Sequence, residues 1–315
     1  MADISIKQLN AKHITVIGDV MLDVFSRGSI SRMSPEAPVP VLDINRIEDR
    51  PGGALNVCNN LVSLGLSTEI IGVVGDDFEA FRLEYLCEKH KIKRSGLLRD
   101  SRRVTTSKTR FFDKAKPFMR ADHESREGIP DWLEEKLLKE VRRSLRNSDA
   151  CIIQDYNKGV LTPRMISGIL DMADTYRVPV FVDPKKDYIE LYAGAFLIKP
   201  NRHEAEQIIG YTIKTPAEAR KASADLFETL QCAHVVLTLG GDGLILRDRD
   251  TYLHVPAHKL DVADITGAGD TVIAVLAALY STGLPLADCA EYANRAAAKT
   301  CALPGVVPVR PEMLL

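Results

Sequence analysis

The sequence predicts an α/β fold in which helices cover both faces of a mostly parallel central sheet and a small separate β-sheet is appended. Three observations carry that prediction. Short β-rich apolar runs recur along the chain, helix-length patterns separate them, and two stretches, 24–47 and 104–122, have strand-like composition with no helix between their halves. Strands that alternate with helices imply a parallel sheet, and sites in such sheets gather at the strands' carboxyl ends.

Buried strands are expected at 13–17, 69–74, 150–154, 179–182, 195–198 and 234–239. Helices are expected at 54–64, 78–89, 131–145, 163–176, 203–209 and 216–230, with two more beyond Gly267 that are broken at Gly283-Leu284-Pro285. The two β-like stretches turn at Ser34-Pro35 and Lys116-Pro117 and suggest a lid.

Composition sets the bounds. The 315 residues are 45% hydrophobic and 27% charged, as in ordinary soluble globular proteins, and the length allows either one large domain with an appendage or two domains. Lysine and arginine number 41 against 43 acids, so the net charge of −2 provides no global field for nucleic acid or an anionic membrane, and neither is expected as a partner. Met1 to Lys7 has an early acid and no apolar run, unlike a signal peptide, and the longest apolar stretch, 272–280, is about half the ~20 residues of a membrane span. The six cysteines lie far apart with no Cys-x-x-Cys pair, the pattern of reduced core thiols in a cytoplasm. His254 and His258 have helical spacing, but Pro256 between them argues against a helix and hence against a metal-ligand pair.

The chemistry concentrates in Asp264-Ile265-Thr266-Gly267-Ala268-Gly269-Asp270, which leads directly into an apolar helical run. Glycines let the backbone turn tightly there, and successive amide N–H groups at a helix N-terminus favour a phosphate. Asp270 in the first turn would stand beside that anion hole, where a carboxylate can take the proton of a hydroxyl attacking a γ-phosphorus. Taken alone, a Gly-x-Gly turn more often merely places an acid on a helix dipole. Two further features shift the balance: Gly52-Gly53-Ala54-Leu55-Asn56 opens a helix where backbone can approach a sugar, and Asn201-Arg202-His203-Glu204 follows a strand with an amide and a carboxylate suited to Mg²⁺-bound water.

With these elements in order, the chain resembles the PfkB carbohydrate kinases over essentially its whole length. Gly52 to Asn56 resembles the family's first signature, Asp264 to Asp270 its second, and Asn201 to Glu204 its Asn-x-x-Glu element. Within the family the chain is most similar to the heptose 7-phosphate kinases, through Gly18-Asp19-Val20-Met21-Leu22-Asp23, the run Ser31-Arg32-Met33-Ser34-Pro35-Glu36-Ala37-Pro38-Val39-Pro40-Val41, and Asp155-Tyr156-Asn157-Lys158-Gly159. The fused cytidylyltransferase domain that some heptose kinases carry has no counterpart before Leu315, so only the kinase step is expected. The resemblance implies a ribokinase-like three-layer sandwich, a single kinase domain over 1–315 with 24–47 and 104–122 as its lid, ATP and Mg²⁺ as cofactors, a sugar phosphate as substrate and a homodimer formed through the lid.

It also implies roles. Asp270 becomes the base, with Gly267, Ala268 and Gly269 as the anion hole. Asp19, Asp23, Gly52, Gly53 and Asn56 face the sugar, although both aspartates could instead cap a turn and Asn56 a helix. Lys108, Arg110 and Arg120 supply charge for a sugar phosphate or form a solvated basic face. On the nucleotide side stand Lys158 and Lys185, which could instead be ordinary edge lysines, with Asn201, Thr238, Gly240, Gly243 and Asn294, and with Glu204 holding the metal through water. The Gly240 to Gly243 segment also suits a plain hairpin, and Asn294 a surface helix position. No Gly-x-x-x-x-Gly-Lys-Ser/Thr loop is present, and no Gly-x-Gly-x-x-Gly follows the first strand, so other nucleotide folds find no support.

Overall fold

A computed structural model describes residues 6–185 and 187–315, so the N-terminal reading of Met1 to Lys7 falls largely outside the described residues. In chain order the strands are His13–Gly18 (β1), Val20–Met33 (β2), Pro40–Gly53 (β3), Ser67–Val74 (β4), Lys93–Arg99 (β5), Ser107–Asp113 (β6), Lys116–His123 (β7), Ala150–Gln154 (β8), Val180–Asp183 (β9), Leu197–Ile198 (β10), His234–Thr238 (β11), Leu244–Arg247 (β12) and Tyr252–Val255 (β13). The helices are Ile6–Asn10 (α1), Ala54–Ser63 (α2), Phe78–Lys89 (α3), Asp131–Leu145 (α4), Pro163–Tyr176 (α5), Arg202–Ile209 (α6), Pro216–Leu230 (α7), Ala268–Tyr280 (α8) and Leu286–Cys301 (α9).

The larger sheet has the order β13-β12-β11-β10-β9-β8-β1-β4-β5 and is parallel from β5 to β11. Beyond β11 the sheet turns antiparallel, β12 pairing antiparallel with β11 and β13 with β12. Its strands alternate inward faces: Ile14, Val16 and Ile152 join one core with α2, α3, α8 and α9, while Ile17, Cys151 and Ile153 join another with α4, α5 and α7. Because β1 lies between β4 and β8, the chain winds outward in both directions from there, and a crevice opens at the carboxyl ends of β1 and β8. The apolar stretch singled out as too short for a membrane is the buried core helix α8, and no described helix is long and apolar enough to cross one.

The second sheet has the order β3-β2-β6-β7. It extends further than 24–47 and 104–122: β2 starts directly after Asp19, and β3 runs to Gly53, which caps α2 at a φ of 56°. The two sheets are therefore joined at the crevice itself. The turn expected at Lys116-Pro117 lies instead at Lys114, with a φ of 58°, and Pro117 sits inside the exposed edge strand β7. An edge strand tolerates proline because one side of its backbone has no ladder to complete.

Three strands escaped the periodicity reading. The edge strand β5 begins with exposed Lys93 and Arg94, the kind of charge that blunts an edge, and β12 and β13 have four residues each. Neither gives an apolar run long enough to stand out. His254 lies in β13, bonded to the Asp242 carbonyl at 2.9 Å, as the proline argument required. The cysteines are free and five are buried, where burial pushes the Cys87 and Cys289 thiols up to about 12.

Candidate active site

Gly267 starts α8 in the left-handed region, at a φ of 84°. A Cβ there would stand 2.9 Å from Nδ2 of Asn56, so glycine is needed for space as well as for conformation. The turn delivers Asp270 into the crevice with only 5% of its surface exposed. Its Oδ2 accepts from Asn56 Nδ2 at 2.7 Å, and its Oδ1 accepts from the Tyr156 hydroxyl at 2.9 Å and from Gln154 Nε2 at 3.1 Å. Burial, with repulsion from Asp183, outweighs the help of Asn56, Tyr156 and Lys199 and pushes its carboxyl up to about 7.

A second layer surrounds this carboxylate. Gln154 Nε2 also donates to Asp183 Oδ2 at 3.0 Å, and Asp183 Oδ1 pairs with the buried ammonium of Lys199 at 3.1 Å. A Cβ on Gly269 would lie 3.3 Å from that ammonium, so Lys199 lies directly beneath the glycine turn. Asn56 Oδ1 and Gln154 Oε1 are buried without a protein partner. Two unsatisfied acceptors beside a carboxylate suit a ligand rich in hydroxyl donors. Gln154, Tyr156, Asp183 and Lys199 were not assigned roles from the sequence, although all four sit at or just beyond the carboxyl ends of β8, β9 and β10, where the strand-end rule points.

On the sugar side the readings diverge. Asp23 is buried beside Gly52, and its Oδ1 pairs with Arg110 at 2.5 Å; burial still pushes its carboxyl upward. Asp19 instead takes the turn-capping alternative: Oδ2 accepts from the amides of Tyr156 at 2.8 Å and Lys158 at 3.0 Å, and Oδ1 from Val160 at 3.4 Å. Its carboxylate thus holds the backbone after β8. Lys108 pairs with Asp122 at 3.1 Å and Glu124 at 3.2 Å, and Arg120 with Asp122 at 2.9 Å. Lys158, expected near the nucleotide, lies with Lys108 on Glu124 at 2.9 Å.

On the nucleotide side, Asn201 caps α6 and forms a reciprocal capping box with Glu204, while Lys185 is held on the Glu204 carboxylate. Thr238 bridges to Asn201 across the sheet edge. Gly240 opens a short helical turn with free space where its side chain would be. Gly243 has a structural cause of its own, since a Cβ there would meet the Val255 carbonyl at 2.0 Å. Asn294 is buried on α9 and donates to the Pro256 carbonyl at 2.8 Å, so it is no surface asparagine.

Residues 11–313 match the model of the pfkB family carbohydrate kinases, and the chain belongs to that family. It is an ATP-dependent sugar kinase with a ribokinase-like fold. Among curated relatives, it is 39% identical over 301 residues to a protein named bifunctional protein HldE from Geobacter metallireducens, covering 95% of this chain and 61% of that one. A protein of the same name from Marinomonas sp. is 41% identical over 305 residues, covering 96% and 63%. The chain thus spans about three-fifths of the length of these relatives. In fold it is similar to the phosphofructokinase-2 from Escherichia coli in complex with potassium, with a TM-score of 0.80 at 17% identity and 96% of both chains covered.

Proposed function

We propose that the chain transfers the γ-phosphoryl group of ATP to the anomeric hydroxyl of a sugar phosphate, D-glycero-D-manno-heptose 7-phosphate, giving the 1,7-bisphosphate of the lipopolysaccharide heptose route. The observation that carries this reading is the state of Asp270, a buried carboxyl pushed up to about 7 and held by three side chains at the N-terminus of α8. A base with that value is half ionised near neutral pH and takes a proton more readily than an ordinary aspartate. The hydroxyl's proton passes to Asp270 as its oxygen bonds to the γ-phosphorus and the bond to the ADP oxygen breaks. Lys199 and the amides of the 267–269 turn stabilise the charge on the moving group.

Mg²⁺ takes oxygen ligands and keeps several waters. The buried Glu204 carboxylate fits a role in holding those waters, because each of its oxygens has one protein partner and spare acceptor capacity. Thr238, Gly240 and Asn294 form the nucleotide's side of the crevice in this reading. The second sheet serves as a lid whose Lys108, Arg110 and Arg120 face the sugar phosphate, and exposed Ile44, Ile47, Phe118 and Met119 on that sheet support a homodimer formed through it. Buried reduced thiols and the use of ATP support a cytoplasmic setting. The subfamily-like run from Ser31 to Val41 and the similarity to HldE proteins favour the heptose over ribose or fructose.

The test is a panel of sugars and sugar phosphates assayed with ATP for ADP release, alongside the Asp270→Asn variant. Selective turnover of heptose 7-phosphate, lost in the variant, supports the proposal. Preference for an unphosphorylated hexose or pentose overturns the substrate, and near-normal turnover in the variant overturns the mechanism.

A further inference from the structure

The carboxylate of Asp270 has two chemically unequal oxygens. Oδ1 accepts from both Tyr156 and Gln154, which fills its in-plane acceptor positions, whereas Oδ2 accepts from Asn56 alone. The open position is therefore on Oδ2. Gln154 is fully committed as a donor, since its Nε2 serves Asp183 as well as Asp270. Tyr156 is different, because its single hydroxyl proton goes to Asp270.

The backbone that carries Tyr156 is held unusually firmly. Asp19 accepts from the amides of Tyr156, Lys158 and Val160, and Asp155 accepts from the Asn157 amide at 2.8 Å and from the Tyr192 hydroxyl at 2.9 Å. Asn157 sits in the left-handed region at a φ of 56°, a conformation that those contacts maintain. The Lys185 ammonium lies 5.4 Å from the centre of the Tyr156 ring. Asp19 and Asp155 thus hold the backbone, and Lys185 faces the ring, of a residue whose one side-chain polar atom meets the proposed base.

We infer that Tyr156 is a positioning residue for the phosphoryl transfer: its hydroxyl locks Oδ1 of Asp270, leaving Oδ2 as the atom that receives the sugar's proton. The inference rests on Asp270 being the base. It also gives the buried Asp19 a purpose as the anchor of the segment that presents Tyr156. The charged and titratable groups around Asp270 are Asp183 and Lys199 from the ends of β9 and β10, with Tyr156 from the segment after β8.

The experiment is the pH profile of kcat for Tyr156→Phe, which keeps the ring and removes one donor to the ionised carboxylate. A donor lost from the charged form raises the base's pKa, by about one unit for a hydrogen bond to a charged group. The acidic limb of the profile should move up by that amount, kcat at pH 7 should fall about fivefold and recover at pH 9, and KM for ATP should change less than about twofold. A merely structural role would lower activity equally at every pH, and an unmoved limb overturns the inference. Full replacement of tyrosine by 3-fluorotyrosine, a more acidic donor, is the second measurement. It should move the limb down in the wild-type chain and leave it in place in Tyr156→Phe, and any other pattern counts against the role. Inactive Asp270→Asn together with an unmoved limb in Tyr156→Phe removes this inference alone, whereas an active Asp270→Asn removes the base and the inference together.

Discussion

Asn56 in α2 and Asp270 in α8 stand 214 residues apart in sequence and share a 2.7 Å hydrogen bond between Nδ2 and Oδ2. This bond joins the two glycine-rich turns of the chain into one site, since Gly53 caps the helix of the first residue and Gly267 that of the second. Removing the donor leaves the ionised base less stabilised. Asn56→Ala should lower kcat/KM by roughly 10–100-fold, as expected for a hydrogen bond to a charged group of about 1.5–3 kcal/mol, with near-normal melting behaviour. Steady-state kinetics and a thermal melt check both halves.

The raised value of Asp270 makes a statement about stability. A carboxyl near 3.8 when unfolded and about 7 when folded binds its proton more tightly in the fold, so its contribution is full at low pH and is lost as pH rises through 7. Asp270→Asn has no proton to lose. The variant should therefore gain on the wild type between pH 5 and pH 8 by roughly 2–3 kcal/mol, because the remainder of the shift's effect is already lost below pH 5. Denaturant melts of both proteins at the two pH values measure the gap, and a gap independent of pH would contradict the assigned value.

Gly267 is irreplaceable on two counts. Its φ of 84° costs an L-residue roughly 1–2 kcal/mol, and the new Cβ would press on Asn56 Nδ2. Gly267→Ala should lose about that much stability and, because Asn56 must shift, at least about tenfold in kcat. Equal kcat in the two proteins would show that the turn tolerates displacement.

Lys108 and Lys158 converge on Glu124, whose carboxyl is held down to about 2, against the cost of burial, by its bonds to Lys158, Arg126 and Lys108. In the proposed complex Lys108 serves the sugar phosphate. Lys108→Ala should raise KM for that substrate about tenfold while leaving KM for ATP unchanged, a split that substrate-saturation curves resolve.

The exposed apolar residues of the second sheet carry the dimer prediction. Ile47 is 61% exposed and Met119 51%, which places them where a partner would cover them. Sedimentation should find a dimer for the wild type and a monomer for Ile47→Asp; a monomeric wild type would remove the interface.

The alternation of apolar runs with helix-length segments determined the parallel sheet by itself, because buried strands and amphipathic helices leave a local imprint at fixed period. The glycine turns at 52–53 and 267–269 were equally legible, since tight turns and positive φ restrict the residue type at the position itself. Short or charged strands such as β5, β12 and β13 lacked that imprint. Which polar residues meet was decided only in three dimensions. Asp19 and Asp23 are four positions apart at the head of one strand, yet the first holds the backbone after β8 and the second an arginine of the neighbouring strand β6. Nothing local distinguishes them. Gln154, Tyr156, Asp183 and Lys199 join Asp270 through the order of parallel strands, and the base acquires its value near 7 from burial and a neighbouring carboxylate that the chain brings close only on folding.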